Sequence, residues 1–449
     1  MLSTTAIEAC WLTIEPLADL ESIISLSSTC RSLRDLLFDA TTNKVKVTHF
    51  KVCNLPPPVD IDIPRNSITA PLRIPHYTSQ ALNHIHFSSL LRLHLDFPLS
   101  KKRHAATGDD RLDFIEDVHT SSFPTFVFQL GVSENKLVSL HLNCSRLMQF
   151  EKYLEFAYEV FGQNLSRCCP KLEELSVVNT GRVIGGNDPV YSAGLAMSLV
   201  PTLKKRKNTL RMFQYESLGE PLPLDRPISS LRTFLSGVTP NNFASDSNRE
   251  LFNNVLRCTN LECLHLKCSS SSYRDFALGA AEAMSECQTE NQTTRRKPSS
   301  IRNLKIISYD GGIERNLPSA SSILEYFSGC HSLYTLQLRL PRVCWYESQT
   351  LEALKKLLIG KRELQRVDIC FSKFDFGKLC EFLLEIITDS VNENSSCYFY
   401  FSGFGGSGSD THKSNRVFER FRTNIRGTIG VRGYGIDVQG ATFTIWIRI

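Results

Sequence analysis

The sequence predicts an α/β solenoid, with short strands side by side in a parallel sheet on the concave face, helices outside, and a small helical segment at the N-terminus. Three observations carry this expectation. One short apolar motif recurs in a fixed phase, its last three positions alternate apolar and polar, and stretches of helical periodicity separate the copies.

The motif is Leu-x-x-Leu-x-Leu. Leu90, Leu93 and Leu95 form one copy, and Leu137, Leu140 and Leu142 the next. Further copies are Leu172-Leu175-Val177, Leu261-Leu264-Leu266, Ile301-Leu304-Ile306, Leu333-Leu336-Leu338 and Leu364-Val367-Ile369, with weaker ones at Leu210-Phe213-Tyr215 and Leu231-Phe234-Ser236. The alternating end of each copy is what a strand with one buried face requires. The leading leucine, three residues back, turns into the core before the strand begins. Between copies, apolar residues fall three and four apart over Gln149–Cys168, Pro189–Arg206, Asn248–Arg257, Tyr273–Cys287, Ser321–Phe327, Ser348–Ile359 and Asp375–Thr388.

A strand and a helix repeating at roughly 20 to 45 residues match the leucine-rich-repeat unit. One unit cannot bury its own apolar face, so neighbours stack strand on strand and helix on helix around one core. A doubly wound domain also alternates strands and helices, but its central strands read as continuous apolar runs. Here Ser139, His141, Glu174, Ser176, Cys263, His265, Thr335 and Gln337 stand between the leucines.

The chain has 449 residues, 42% apolar and 22% charged, which supplies a large core and argues against disorder. Its net charge of +5 is too small to imply a nucleic-acid partner. No run reaches the ~20 apolar residues of a membrane span, so no membrane partner is expected. Glu8, Glu15, Asp19 and Glu21 interrupt the N-terminal apolar stretch, and a cleaved secretory signal is not expected. Fifteen cysteines, an odd number in a chain long enough to fold without staples, point to buried thiols in a reducing compartment, cytoplasmic or nuclear.

Cys169, Cys258 and Cys330 each stand three residues before the first leucine of a copy. A thiol suits that place as a small hydrophobe in the tight turn between helix and strand. The run Cys169-Pro170-Lys171-Leu172-Glu173-Glu174-Leu175 resembles the cysteine-containing leucine-rich repeats common in F-box proteins. Near the N-terminus, Leu17-Ala18-Asp19-Leu20 and Leu26-Ser27-Ser28-Thr29-Cys30-Arg31-Ser32-Leu33 resemble the second half of an F-box, over about Leu17 to Phe38. Ile14-Glu15-Pro16 stands where that family carries Leu-Pro. The resemblance implies helices that pack on the adaptor subunit of a cullin-RING ubiquitin ligase, with Leu17, Leu20, Cys30, Leu33 and Leu36 facing the adaptor or forming a small core. Read from the residues alone, residues 1–45 hold a helix that Asp19 can cap and a second helix after it. Such a pair could equally cover the open edge of the first repeat.

Residues 46–80 read as an extended linker, with six prolines between Leu55 and Pro75. Residues 81–395 form the array, interrupted by polar insertions at Lys101–Asp110 and Cys287–Ser300. Residues 396–449 read as a β-rich cap, in which Cys397–Phe401 and Thr442–Ile449 are strands and Gly403–Asp410 is a loop.

Chemical motifs are weak. Lys413 stands too far from Gly408 for a phosphate loop. Cys258, Cys263, His265 and Cys268 spread along a strand at ~3.3 Å per residue instead of gathering round a metal. Lys204-Lys205-Arg206-Lys207 reads as the basic end of a helix in preference to a nuclear-localisation run. No acid–base or nucleophile set stands out, so no enzyme, metal or cofactor is expected. His94, His141 and His265 hold one repeat position, and with Glu174 and Gln337 they are the candidate partner contacts on the concave face. The chain therefore reads as a protein-binding scaffold. It is either the substrate-recognition subunit of a cullin-RING (SCF-type) ubiquitin ligase, holding the ligase adaptor and a target protein, or a leucine-rich-repeat interaction protein with no role in ubiquitination.

Overall fold

The computed structural model describes residues 46, 49–52, 85–96, 123–144, 151–179, 193–218, 224, 226–239, 246–289, 300–309, 320–340, 348–359, 361–374, 376–392, 396–405, 411–428, 430–439 and 442–449. The N-terminal helical segment, with Leu17, Leu20, Cys30, Leu33 and Leu36, lies outside the described residues, as does most of the proline-rich stretch. The chain divides into two units, Met1–Glu220 and Pro221–Ile449. Each is α/β, with a mostly parallel sheet whose strands alternate with helices in a repeat-like order.

The first unit holds five parallel strands in sequence order: β1 (His49–Val52), β2 (Arg92–Asp96), β3 (Ser139–Asn143), β4 (Glu174–Asn179) and β5 (Met212–Leu218). Helices α1 (123–131), α2 (Glu151–Cys168) and α3 (Ala193–Lys205) join β2 to β5 in turn. Register follows the phase of the motif. Leu93, Leu140, Leu175 and Phe213 form one rung, and Leu95, Leu142, Val177 and Tyr215 another. All eight are at most 1% exposed.

In the second unit, β6 (Thr233–Thr239), β7 (Cys263–Ser269), β8 (Asn303–Tyr309), β9 (Thr335–Arg339), β10 (Arg366–Phe374) and β11 (Tyr398–Gly405) run parallel in order. Helices α4 (Asp246–Leu256), α5 (Ser270–Thr289), α6 (Ser321–Ser328), α7 (Ser348–Leu358) and α8 (Phe376–Asn392) connect them. After α9 (Thr411–Gly427) the pattern changes: β12 (Gly433–Gln439) and β13 (Thr442–Arg448) pair antiparallel, and β13 lies antiparallel on β11. One apolar rung runs Phe234, Leu264, Leu304, Leu336, Val367, Phe399, Ile447, and the next Ser236, Leu266, Ile306, Leu338, Ile369, Phe401, Ile445. Both weak copies of the motif therefore take their places in the core.

The helical stretches read from periodicity all contain helices. Four elements differ from expectation, the first being helix α1 (123–131), which lies outside every stretch read as helical. Strand β1 falls inside the stretch read as a linker, so parallel pairing starts before residue 81. Helix α9 and strand β12 stand where the cap was read without them. Polar and charged residues outnumber apolar ones in α9, and β12 begins with Gly433 and Gly435, which are poor strand formers.

The turns into the strands use one device. Cys169, Ile228, Cys258 and Lys361 each accept a hydrogen bond on the carbonyl from the N–H of the leucine three residues on, at 3.1 to 3.4 Å. These residues are buried. Burial pushes the thiols of Cys169 and Cys258 up to about 12, so they remain protonated. The ten cysteines described carry thiols, not disulfides. Lys361 places an ammonium among these apolar groups and donates it to the carbonyl of Ser328, the last residue of α6. Arg206 does the same for α2, donating to the Ser166 carbonyl at 2.9 Å. The basic run is thus split, with Lys204 and Lys205 exposed in the last turn of α3 and Arg206 buried.

Helices α2 and α3 pack closely because Gly162 has no side chain: a Cβ there would stand 2.0 Å from the Ser198 carbonyl oxygen. We expect Gly162→Ala to destabilise by about 1–3 kcal/mol through forced separation of the two helices. Leu304→Ala should cost about 2–5 kcal/mol through the cavity it leaves in the ladder. Urea denaturation measures both, and a loss well under 1 kcal/mol for Leu304→Ala would remove the ladder as the seat of stability.

Candidate functional site

The residues between the apolar rungs share the opposite face of each sheet. In the first unit, His94 and His141 are register partners and their rings stack, with centroids 5.6 Å apart and planes 20° from parallel. The same rung continues through Ser176 and Gln214. The Ser176 hydroxyl donates to Gln214 Oε1 at 2.9 Å, and Gln214 Nε2 donates to Glu216 Oε1 at 3.0 Å. Glu174 stands one rung earlier, opposite Ser139 and Met212, because it precedes Leu175 instead of following it.

In the second unit, one rung runs His265, Lys305, Gln337, Asp368, Tyr400, Trp446. His265 and Gln337 thus share a rung with Lys305 between them. Gln337 Nε2 donates to Asp368 Oδ2 at 3.3 Å, and Arg366 Nη2 lies 4.0 Å from the same oxygen. Burial, with Lys305 and Lys267 nearby, holds the His265 imidazole below its ordinary pKa, so it favours the neutral form. Burial also raises the Asp368 carboxyl, against the opposing pull of Arg366 and Lys305.

The rung before it holds Cys263, Asn303, Thr335, Arg366, Tyr398 and Arg448, and the rung after it Lys267, Ile307, Arg339, Cys370, Ser402 and Thr444. Thr335 Oγ1 donates to Asn303 Oδ1 at 2.8 Å. The Trp446 indole lies against β12, where a Cβ on Gly435 would stand 2.2 Å from Nε1. Gly435 therefore makes the floor on which the ring rests.

His94 and His141, which the sequence sets at one repeat position, are rung partners, and sequence reasoning left out Lys305, Asp368 and Trp446. The signal for these three was the one that singled out His265: Leu304-Lys305-Ile306, Val367-Asp368-Ile369 and Ile445-Trp446-Ile447 each frame a polar-face residue between two core residues. Cys263 and His265 lie on the polar face, whereas Cys258 and Cys268 are buried. Among the described residues no group of three or more His, Cys, Asp or Glu is placed to hold a metal ion, and no helix is long and apolar enough to cross a membrane. The arrangement presents charges, amides and aromatic rings on the polar face of each sheet. Compared with known protein families and with characterised proteins, the sequence matches none.

Asp368 makes a pH prediction. Its carboxyl titrates above the ordinary value of 3.8, so over that window the folded chain holds a proton that the unfolded chain has released. The group's contribution is fully present below 3.8 and is lost as pH rises through the folded value, leaving a cost at neutral pH. Asp368→Asn should raise the urea midpoint at neutral pH and leave it unchanged in acid below the ordinary value. An equal shift at both pH values would show that the half-buried charge is not the cause.

Proposed function

We propose that the chain is a leucine-rich-repeat scaffold and serves as the substrate-recognition subunit of a cullin-RING ubiquitin ligase. One observation supports the scaffold reading above the others: copies of the motif far apart in sequence meet leucine against leucine on adjacent parallel strands. That register leaves alternate residues of every strand on one face for a partner protein. His94, His141 and Glu174 are its contacts in the first unit, and His265 and Gln337 in the second.

The ligase role draws on the F-box-like segment, with Leu17, Leu20, Cys30, Leu33 and Leu36 as adaptor contacts. In this role the chain does no chemistry. It holds a target beside the ligase and raises the effective concentration of one for the other. The place of work would be the cytoplasm or nucleus. The residues at Ile14-Glu15-Pro16, where an F-box carries Leu-Pro, favour a second reading, a leucine-rich-repeat interaction protein with no role in ubiquitination.

Co-purification with the cullin adaptor separates the two. We expect the full chain to retain the adaptor and a chain lacking residues 1–45 to lose it. Retention without those residues would sink the adaptor contacts, and no retention by the full chain would leave the scaffold reading alone.

A further inference from the structure

The polar face of the second unit indicates what kind of partner chain it takes, given the protein-binding reading above. Lys267, Lys305, Arg339, Arg366 and Arg448 stand at polar-face positions between β7 and β13, against the carboxylates Asp368 and Asp437. Five cations to two anions make a basic field, to which a neutral His265 adds nothing. At one end the field meets aromatic surface. Tyr398 is 37% exposed and Trp446 38%, and Tyr400 lies beside Trp446 on its rung. Tyr398 itself stands between Arg366 and Arg448 on the rung before. The indole lies close over Gly435 and Gly433 of β12, and its exposed part is apolar surface open to a ligand.

The spacing suits an extended peptide. From Lys305 on β8 to Trp446 on β13 are four strand steps, about 19 Å at 4.8 Å each, or the reach of about six extended residues. We propose that this face binds an extended acidic peptide segment of the partner protein. Its carboxylates meet Lys267, Lys305 and Arg339 on one side and Arg366 and Arg448 on the other, and one aromatic or aliphatic side chain lies on Tyr398, Tyr400 and Trp446. Asp368 argues for a peptide over a single-stranded nucleic acid. The carboxylates of a peptide are separate side chains, so a neutral residue can pass Asp368. The phosphates of a nucleic-acid strand recur at every nucleotide, and one would meet that carboxylate.

The test is to pan the full-length chain against a random displayed peptide library and to measure the recovered peptides, once synthesised, by fluorescence anisotropy at low and high salt. Acidic sequences carrying an aromatic or large aliphatic residue should be enriched, and their binding should weaken as salt rises. The double variant Lys305→Glu/Arg366→Glu and the single variant Trp446→Ala should each weaken binding at least about tenfold. Thermal unfolding checks that each variant is folded, and Tyr398→Ala replaces Trp446→Ala if the latter is not. Neutral or basic peptides that the variants release would overturn the acidic partner while keeping the protein-binding face. No enrichment, or enrichment indifferent to the variants, would overturn both. Tight binding of oligo(dT) abolished by the same variants would replace the peptide with a nucleic acid.

Discussion

Side chains on a strand alternate, so a slip of one residue in any strand pair would turn every core leucine of that strand to solvent. Backbone hydrogen bonding alone does not choose between registers in a parallel pair; the apolar ladders do. The entry to each strand then locks the choice. One carbonyl of the preceding strand's approach accepts from two successive N–H groups of the next: Leu91 from Val138 and Ser139, Glu262 from Arg302 and Asn303, Arg302 from Tyr334 and Thr335. The carbonyls of Val138, Glu173, Arg232 and Tyr334 do likewise. These paired bonds use backbone atoms only, so they tolerate any residue but proline at the entry and pass the phase from one copy to the next.

This explains how the weak copies keep their places. Phe213 and Tyr215 enlarge the ladder in β5 yet remain within 1% of full burial, their rings stacked 16° from parallel. Ser236 does the opposite, putting a hydroxyl where the neighbouring strands carry Leu266, Ile306 and Leu338, and among the described residues that buried hydroxyl has no hydrogen-bond partner. Phase set by backbone and by the flanking leucines carries both exceptions.

Most of the strands and of the helices between them were legible because their signals are periodic and local, helix α1 (123–131) being an exception. Strand β1 was not, since four residues before a proline-rich stretch give no period to read. Helix α9 and strand β12 escaped for the reasons seen in their residues, a mostly polar helix sequence and two glycines. At the candidate site, His94 and His141 could be paired from sequence because both sit between the last two leucines of a copy. Glu174 sits elsewhere in the motif and so lands on another rung. Trp446 is framed by Ile445 and Ile447 as His265 is by its leucines, but its alignment with Tyr400 could not be read, because it depends on the antiparallel pairing of β13 with β11, which the motif does not describe.

Lys361 and Arg206 were the least readable, since a cation near a helix end reads as surface. Their burial makes sense only in three dimensions. The last carbonyls of a helix have no partner within it and carry the negative end of its dipole. Where Cys169 and Cys258 fill the turn with a protonated thiol, Lys361 and Arg206 carry a charge that reaches the helix end of the preceding repeat, at Ser328 and Ser166. Burial lowers the Lys361 pKa, the mark of a cost that this bond offsets. Asn135 serves the same need without charge, donating to the carbonyl of Leu130 in the last turn of α1 at 2.8 Å. These polar demands are met from the helix side of each unit and draw no side chain from the far face of the sheet. The composition of that face is therefore not dictated by the fold, and a basic and aromatic surface can be built there without disturbing the ladders beneath it.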